Sequence, residues 1–290
     1  KEQILKPDTL VNLKAISGQD KIEARGSGLT IGALATLDAI SHHADVRQKY
    51  AVLAEAAGQV ATPQIRNAGT IAGNVMQRPW CWYYRNNFPC YKNGGNTCFS
   101  ITGENDFHAI FGGGPSFIVH PSDTAPALVA LGARFKLQGA SGSREVAAAD
   151  FFQLPTVNPA KENVLATGEV LSEITIPAPI AGTRSTYLKV LDRDAWTHAV
   201  VAVAAVLQMD GGTCKSARVV LGGVAPIPWR VQAVEQMLAG QRITEDLLAR
   251  AAEKAVEGAR PLAKNGYKVP LLRASVKQAL RTASGVNPTA

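Results

Sequence analysis

The sequence predicts an α+β fold in two parts, and three observations predict it. Short β-rich runs bounded by Gly and Pro are interspersed with Ala-rich helical stretches along most of the 290 residues. Pro177-Ala178-Pro179 interrupts that pattern directly after a strand, which sets a boundary between residues 1–180 and 181–290. The second part then runs through strands before its helices, the signature of a small sheet covered by helices.

Taken in order, residues 7–16 read as a short strand after a turn. Glu23-Ala24-Arg25 and the run to Gly32 read as two strands joined by the Gly26-Ser27-Gly28 turn. A helical run begins at Thr36, and the Ala-rich residues 50–60 form a second helix. Residues 61–74 turn polar and Gly/Asn-rich. Residues 77–116 are aromatic, Gly, Asn and Cys, a long irregular insertion of the kind that is uncommon unless it has a task. Regular patterning returns at Phe117-Ile118-Val119-His120 and in the helix 124–131. Strands follow at 133–138, 144–147 and 170–177, with a polar loop at 155–164. Beyond the boundary come strands at 186–191, 200–209 and 217–224 and helices at 231–239 and 245–258.

Composition narrows the function classes. Hydrophobic residues make up 46% and charged residues 18%, enough for sizeable cores and too apolar for a disordered chain. The net charge of +7 suits an acidic partner or a phosphate-bearing ligand. The basic residues are scattered and not interleaved with aromatics, which argues against nucleic acid. No apolar stretch has the length of a bilayer span. The opening Lys1–Pro7 is not a signal peptide and has no initiator Met. No Ser-His-Asp set, catalytic carboxylate pair or HExxH motif is present, so no catalytic side chain is expected; Glu104 and Asp106 read as loop solvation.

Two constellations carry chemistry. In Gln64-Ile65-Arg66-Asn67-Ala68-Gly69-Thr70-Ile71-Ala72-Gly73-Asn74, the glycines let backbone N–H groups approach an anion, Arg66 adds charge, and Asn67, Thr70 and Asn74 add neutral hydrogen bonds. That set suits a diphosphate or a polyol chain, and a plain polar turn would look the same. Cys81, Cys90 and Cys98 fall within eighteen positions, among Trp80, Trp82, Tyr83, Tyr84 and Phe88. Thiolates with an aromatic shield suit an iron–sulfur cluster. Zinc, or a disulfide plus a free thiol, competes, although the tight C-x-x-C knuckles of zinc sites are absent. Cys214 lies far along the chain. His108 reads as an exposed loop histidine or a further ligand.

These segments resemble the FAD-binding subunits of the xanthine dehydrogenase and carbon monoxide dehydrogenase family. The pattern Ile-Arg-Asn-x-Gly-Thr-x-x-Gly-Asn is intact at 65–74. Three further matches follow in family order: His120-Pro121-Ser122-Asp123 with its Ala/Leu helix, Gly168–Pro177, and Tyr187-Leu188-Lys189. The resemblance implies an FAD-binding domain of the vanillyl-alcohol-oxidase-like (PCMH) type, then a smaller domain with an antiparallel sheet of the carbon monoxide dehydrogenase flavoprotein C-terminal type. It implies FAD held by Arg66, Asn67, Gly69, Thr70, Gly73 and Asn74 along the diphosphate. Asp123 would bond the cofactor's polar part, and Leu171 and Lys189 would lie near the isoalloxazine. Without the resemblance, Asp123 reads as a helix N-cap, Leu171 as core and Lys189 as a solvated strand end. The family's upstream Gly-Gly-Thr-type loop precedes the point where this sequence begins, so the expectation is a domain lacking its N-terminal part.

The cysteine insertion is similar to that of the periplasmic aldehyde oxidoreductase branch, with the 4-hydroxybenzoyl-CoA reductases as the other branch that has one. It implies a [4Fe–4S] cluster on Cys81, Cys90 and Cys98 with Ser116 where a fourth cysteine is expected, or a [3Fe–4S] cluster. The implied role is electron transfer within a molybdenum-containing aldehyde/xanthine-type dehydrogenase. A large molybdenum-cofactor subunit would oxidise substrate, and a small subunit with two [2Fe–2S] clusters would pass electrons to FAD. The assembly would be a heterotrimer or a dimer of heterotrimers in the bacterial periplasm, with the cytoplasm as the alternative. The competing function is a non-catalytic scaffold with a metal-stapled loop and no FAD.

Overall fold

The computed structural model describes residues 8–26, 28–194 and 197–286. Pro7 and Ser27, assigned to turns in the sequence, lie outside them. The described residues form two antiparallel sheets of five strands each. The first contains β1 (Ile22–Arg25), β2 (Gly28–Gly32), β3 (Arg134–Gly139), β4 (Gly142–Ala147) and β5 (Val170–Pro177), in the order β1-β2-β5-β3-β4. The second contains β6 (Thr183–Val190), β7 (Val201–Asp210), β8 (Thr213–Gly222), β9 (Trp229–Arg230) and β10 (Gln241–Arg242). There β10-β8-β7-β6 lie side by side and β9 pairs with β8.

Helices α1 (Leu37–His42), α2 (Ala44–Lys49) and α3 (Ala51–Gly58) follow β2. In α3 the buried Val52, Leu53, Ala54, Ala56 and Ala57 cover most of the helix surface, so it is a core helix rather than an amphipathic one. Every residue of α7 (Thr124–Ala130) is buried as well. These two Ala-rich helices fill the space between the sheets, because small side chains allow close backbone approach. One hydrophobic core joins β2, β3 and β5, through Leu29, Ile31, Phe135 and Ile174, to Ala202, Ala204 and Val220 of the second sheet. Val201, Val203, Ala205, Val219 and Leu221 face the other way. They pack in a second core with α9 (Gln232–Leu238), α10 (Glu245–Ala255) and α11 (Lys268–Ser284). Covered on both faces, β7 is apolar almost throughout.

Four differences from the sequence reading have physical causes. Residues 8–16 form no strand; Leu10, Val11 and Ile16 are exposed, and Leu13–Ala15 is a single 3-10 turn capped by the Asn12 side chain. Residues 117–120 form no strand either, since their backbone bonds go to separate loops, Ala109 N–H to Phe117 O and His120 N–H to Ala225 O. The polar stretch 61–74 is two short helices, α4 (Pro63–Ala68) and α5 (Ile71–Val75). Thr62 caps the first with Pro63 at its opening position, and Thr70 caps the second through Gly73 N–H. The insertion adds one helical turn, α6 (Trp82–Arg85), and α8 (Ala148–Phe151) follows β4. Finally, α11 has no counterpart in the sequence reading, although Leu272, Val276, Ala279, Leu280 and Ala283 recur at helical spacing and are buried.

Candidate functional site

The helical form of residues 61–74 changes what this segment offers a ligand. The N–H groups of Gly69, Ile71, Ala72, Gly73 and Asn74 are all bonded within the chain, to Ile65 O, Ala35 O, Ala33 O, Thr70 Oγ1 and Thr70 O. The segment therefore presents glycine surfaces and side chains rather than a cradle of free N–H donors. Gly69 is required sterically, because a Cβ there would stand 2.9 Å from Ile65 O. Asn74 is buried, and its Oδ1 accepts from Ser122 Oγ (2.6 Å) and Thr124 Oγ1 (2.7 Å), leaving the amide nitrogen as its remaining donor. Arg66 turns away to donate to Val60 O at 2.9 Å, and Asn67 donates to Pro63 O at 3.0 Å.

Asp123 stands at the N-cap of α7, facing β6. The Ala125 N–H is taken by Ser122 Oγ at 3.0 Å, and Asp123 makes no capping bond. Its carboxylate is thereby free to accept from Tyr187 Oη and Lys189 Nζ, each at 2.8 Å. Tyr187 and Lys189 are two apart on β6, so both point to one face of the strand. Lys189 also donates to Gln59 O at 2.9 Å, with its side chain only 1% exposed, which replaces the solvated strand end of the sequence reading by a buried ion pair. Burial pushes the Asp123 carboxyl upward, and Lys189 and Tyr187 oppose that. Burial likewise pushes the Tyr187 phenol well above its ordinary range, with the Asp123 charge adding to it. Glu55 of α3 locks the same strand, accepting from Tyr187 N–H (2.6 Å) and Thr186 Oγ1 (2.9 Å). Leu171 is 5% exposed and packs in the first core, opposite Leu137 on β3.

A cavity of about 610 Å³ opens beside this network, within the size range of small-molecule sites. Gly69, Thr70, Gly73, Asn74 and Asp123 line it; Arg66, Asn67, Leu171 and Lys189 do not. Sequence reasoning missed the rest of the wall. Trp80, Trp82, Arg85 and Phe107 reach it from the cysteine insertion, and Asp192, Arg193, Thr197 and His198 reach it from beyond β6. His198 is hydrogen-bonded to the Pro121 backbone. Burial, with Arg85 and Lys189 nearby, holds its imidazole down at about 4, so it is neutral at pH 7. No local sequence signal marks His198 as a site residue; only the fold brings it to the cavity.

The insertion holds Cys81, Cys90 and Cys98, all buried and free. Cys81 Sγ lies 3.4 Å from His108 Nε2, and Phe117 N–H points at Cys98 Sγ from 3.5 Å, which brings the buried Ser116 segment beside that thiol. Burial pushes the Cys81 thiol up; the Tyr84 and Tyr83 N–H groups oppose this, and Cys98 and Cys90 add to it. His108 is 2% exposed, not the exposed loop residue its context suggests, and its Nδ1 has no hydrogen-bond partner. Cys214 sits in the second core, with Ser216 O 3.2 Å from its sulfur. Among the described residues, no group of three or more His, Cys, Asp or Glu side chains is arranged to hold a metal ion. Glu104, read as loop solvation, pairs with Lys264 at 2.6 Å on the surface. No helix among the described residues is long and apolar enough to cross a membrane.

Comparison with known proteins gives this architecture a family. Residues 1–179 match the family described as the FAD binding domain in molybdopterin dehydrogenase. Residues 186–283 match the CO dehydrogenase flavoprotein C-terminal domain. The chain is 37% identical to the aldehyde oxidoreductase FAD-binding subunit PaoB of Escherichia coli over 98% of its own length and 87% of that protein's. It is 28% identical to the carbon monoxide dehydrogenase medium chain of Hydrogenophaga pseudoflava, covering 98% and 84% of the two chains. Among solved structures, a chain of the Cu,Mo-CO dehydrogenase superposes with a TM-score of 0.75 at 26% identity, covering 98% of this chain and 84% of that one. The chain belongs to the FAD-binding flavoprotein subunits of the molybdenum hydroxylase family and is an oxidoreductase component.

Proposed function

We propose that this chain is the electron-relaying flavoprotein subunit of a molybdenum-containing aldehyde/xanthine-type dehydrogenase, and that FAD occupies the cavity beside Asp123. The observation that carries this reading is the placement of Gly69, Thr70, Gly73, Asn74 and Asp123 around one cavity, walled by α4, α5, the insertion and the segment after β6. FAD supplies the redox chemistry when bound, taking electrons from partner [2Fe–2S] clusters and passing them to an external acceptor. The chain's own contribution is positioning and electrostatics. Gly69 and Gly73 leave room for close approach, and Thr70 and Asn74 offer neutral polar groups. The Asp123–Lys189 pair, fixed by Tyr187 and Gln59, sets a rigid polar edge. Neutral His198 offers a hydrogen-bonding group beside Trp80.

The relatives' names as FAD-binding subunit and medium chain support a complex with other subunits; we take these to be a large molybdenum-cofactor subunit and a small [2Fe–2S] subunit, in a heterotrimer or a dimer of heterotrimers. We place that complex in the bacterial periplasm, which fractionation of the source cells tests. We also propose a [4Fe–4S] cluster on Cys81, Cys90 and Cys98, with Ser116 as the fourth ligand. The support is donor type alone, three buried free thiols in one insertion with the Ser116 segment beside Cys98; among the described residues the three are not gathered into a metal-holding group.

The test is a visible spectrum of the purified complex before and after dithionite, with iron analysis. Flavin bands near about 370 and 450 nm that bleach on reduction support the relay. A folded complex that shows iron–sulfur absorption and releases no flavin on denaturation leaves the scaffold role instead. Iron in excess of the [2Fe–2S] complement, lost in Cys90→Ser, supports the loop cluster; iron matching the small subunit alone refutes it.

A further inference from the structure

We infer that the cysteine insertion is itself part of the flavin site, with Trp80 as the surface on which the flavin ring system packs. This rests on the reading of the cavity as the FAD site. Its wall is of two chemical kinds, small and polar at Gly69, Thr70, Gly73 and Asn74, and aromatic at Trp80, Trp82 and Phe107 from the insertion. FAD has the same division, a polar diphosphate–ribityl chain and a flat apolar ring system.

Trp80 is held on three sides. Phe107 packs edge-on with ring centroids 5.0 Å apart, Trp82 lies at 5.7 Å, and His198 lies at 5.3 Å with its plane tilted by 52°. An indole fixed in this way presents a prepared aromatic wall at little entropic cost, which favours stacking of another ring. Arg85 adds a positive charge to the same wall, anchored by its Nε bond to Pro79 O at 3.2 Å. It suits a cofactor that carries negative charge.

The wall is also joined to the thiols. Trp80 is the residue before Cys81, and Arg85 N–H donates to Cys81 O at 3.0 Å in the α6 turn. The backbone that positions the Cys81 sulfur therefore also positions the indole and the guanidinium.

The test uses the full subunit in its complex, stripped of flavin and titrated with FAD. Trp80→Ala binds FAD about tenfold more weakly, the effect of losing an aromatic stacking contact. Trp80→Phe keeps affinity within about threefold of wild type, since the ring contact survives. Its bound flavin is several-fold more fluorescent, because tryptophan quenches an adjacent excited flavin far better than phenylalanine does. Val157→Ala, an exposed position outside the cavity wall and outside the insertion, leaves both readouts unchanged. Wild-type affinity in Trp80→Ala, or wild-type fluorescence in Trp80→Phe, overturns the inference. A wild-type protein that takes up no FAD overturns the reading of the cavity, and this inference with it.

Discussion

The two regions that meet at the cavity are built in different ways. The Asp123 side is rooted in regular structure: α3, α7 and β6 each contribute a side chain, and each polar group has a short partner. The cysteine insertion has single turns, an aromatic cluster and three thiols. Much of its anchorage comes from the second core's edge. Lys268 Nζ donates to Phe107 O (2.9 Å), His108 O (3.2 Å) and Gly223 O (2.8 Å), and Asn265 Nδ2 donates to His108 O at 3.0 Å. The difference shows that one half of the site is fixed by packing, whereas the other is clamped from outside by a buried amine.

The largest expected effect tests the packed half. Asp123→Ala leaves Lys189 buried without its counter-charge and should cost about 3–5 kcal/mol in denaturant unfolding, with loss of bound flavin. Leu171→Ala separates core from cofactor contact. As a core residue, Leu171 should cost about 2–5 kcal/mol on truncation while the flavin spectrum of the folded fraction stays the same. A shifted spectrum at wild-type stability would place Leu171 against the ring instead.

The clamped half has its own signature. Lys268→Met leaves the Phe107 and Gly223 carbonyls without that donor, His108 O keeping Asn265, and should cost about 1–3 kcal/mol near pH 9, with new proteolysis around residues 104–109. Burial holds the Lys268 amine down at about 7, against an ordinary value of 10.5. Between those values the unfolded chain binds the extra proton, so the wild-type advantage over Lys268→Met should grow as pH rises from about 7 to 10.5 and be smallest and flat below about 7. An advantage independent of pH would contradict the buried-amine clamp. The smallest effect is at the exposed Lys264–Glu104 pair, where Glu104→Gln should cost no more than about 1 kcal/mol. A larger loss would show the loop to be held at its surface.

The fold was legible where pattern and packing agree. The strands bounded by Gly and Pro and the Ala-rich helices follow from local chemistry. Residues 61–74 misled because Gly and Asn suggest a loop, while Thr62-Pro63 and Thr70 write two helix starts that outweigh them. The strand that carries Tyr187 and Lys189 was legible, but the meeting of both with Asp123 depends on tertiary packing across 64 and 66 residues, which is why Lys189 read as a solvated strand end. Trp80, Arg85 and His198 were not legible as site residues, because nothing local distinguishes a cavity wall from an aromatic core. The cysteines were legible as a cluster of donors, whereas the burial of His108 beside Cys81 needed the fold.

The most direct test of the account is to titrate the flavin-stripped complex with FAD while following absorbance, thermal unfolding and circular dichroism together. The account predicts saturation at one FAD per chain, with perturbed flavin bands and a raised Tm, both abolished in Asp123→Ala molecules that remain folded. A wild-type chain with native dichroism that binds no FAD would contradict it.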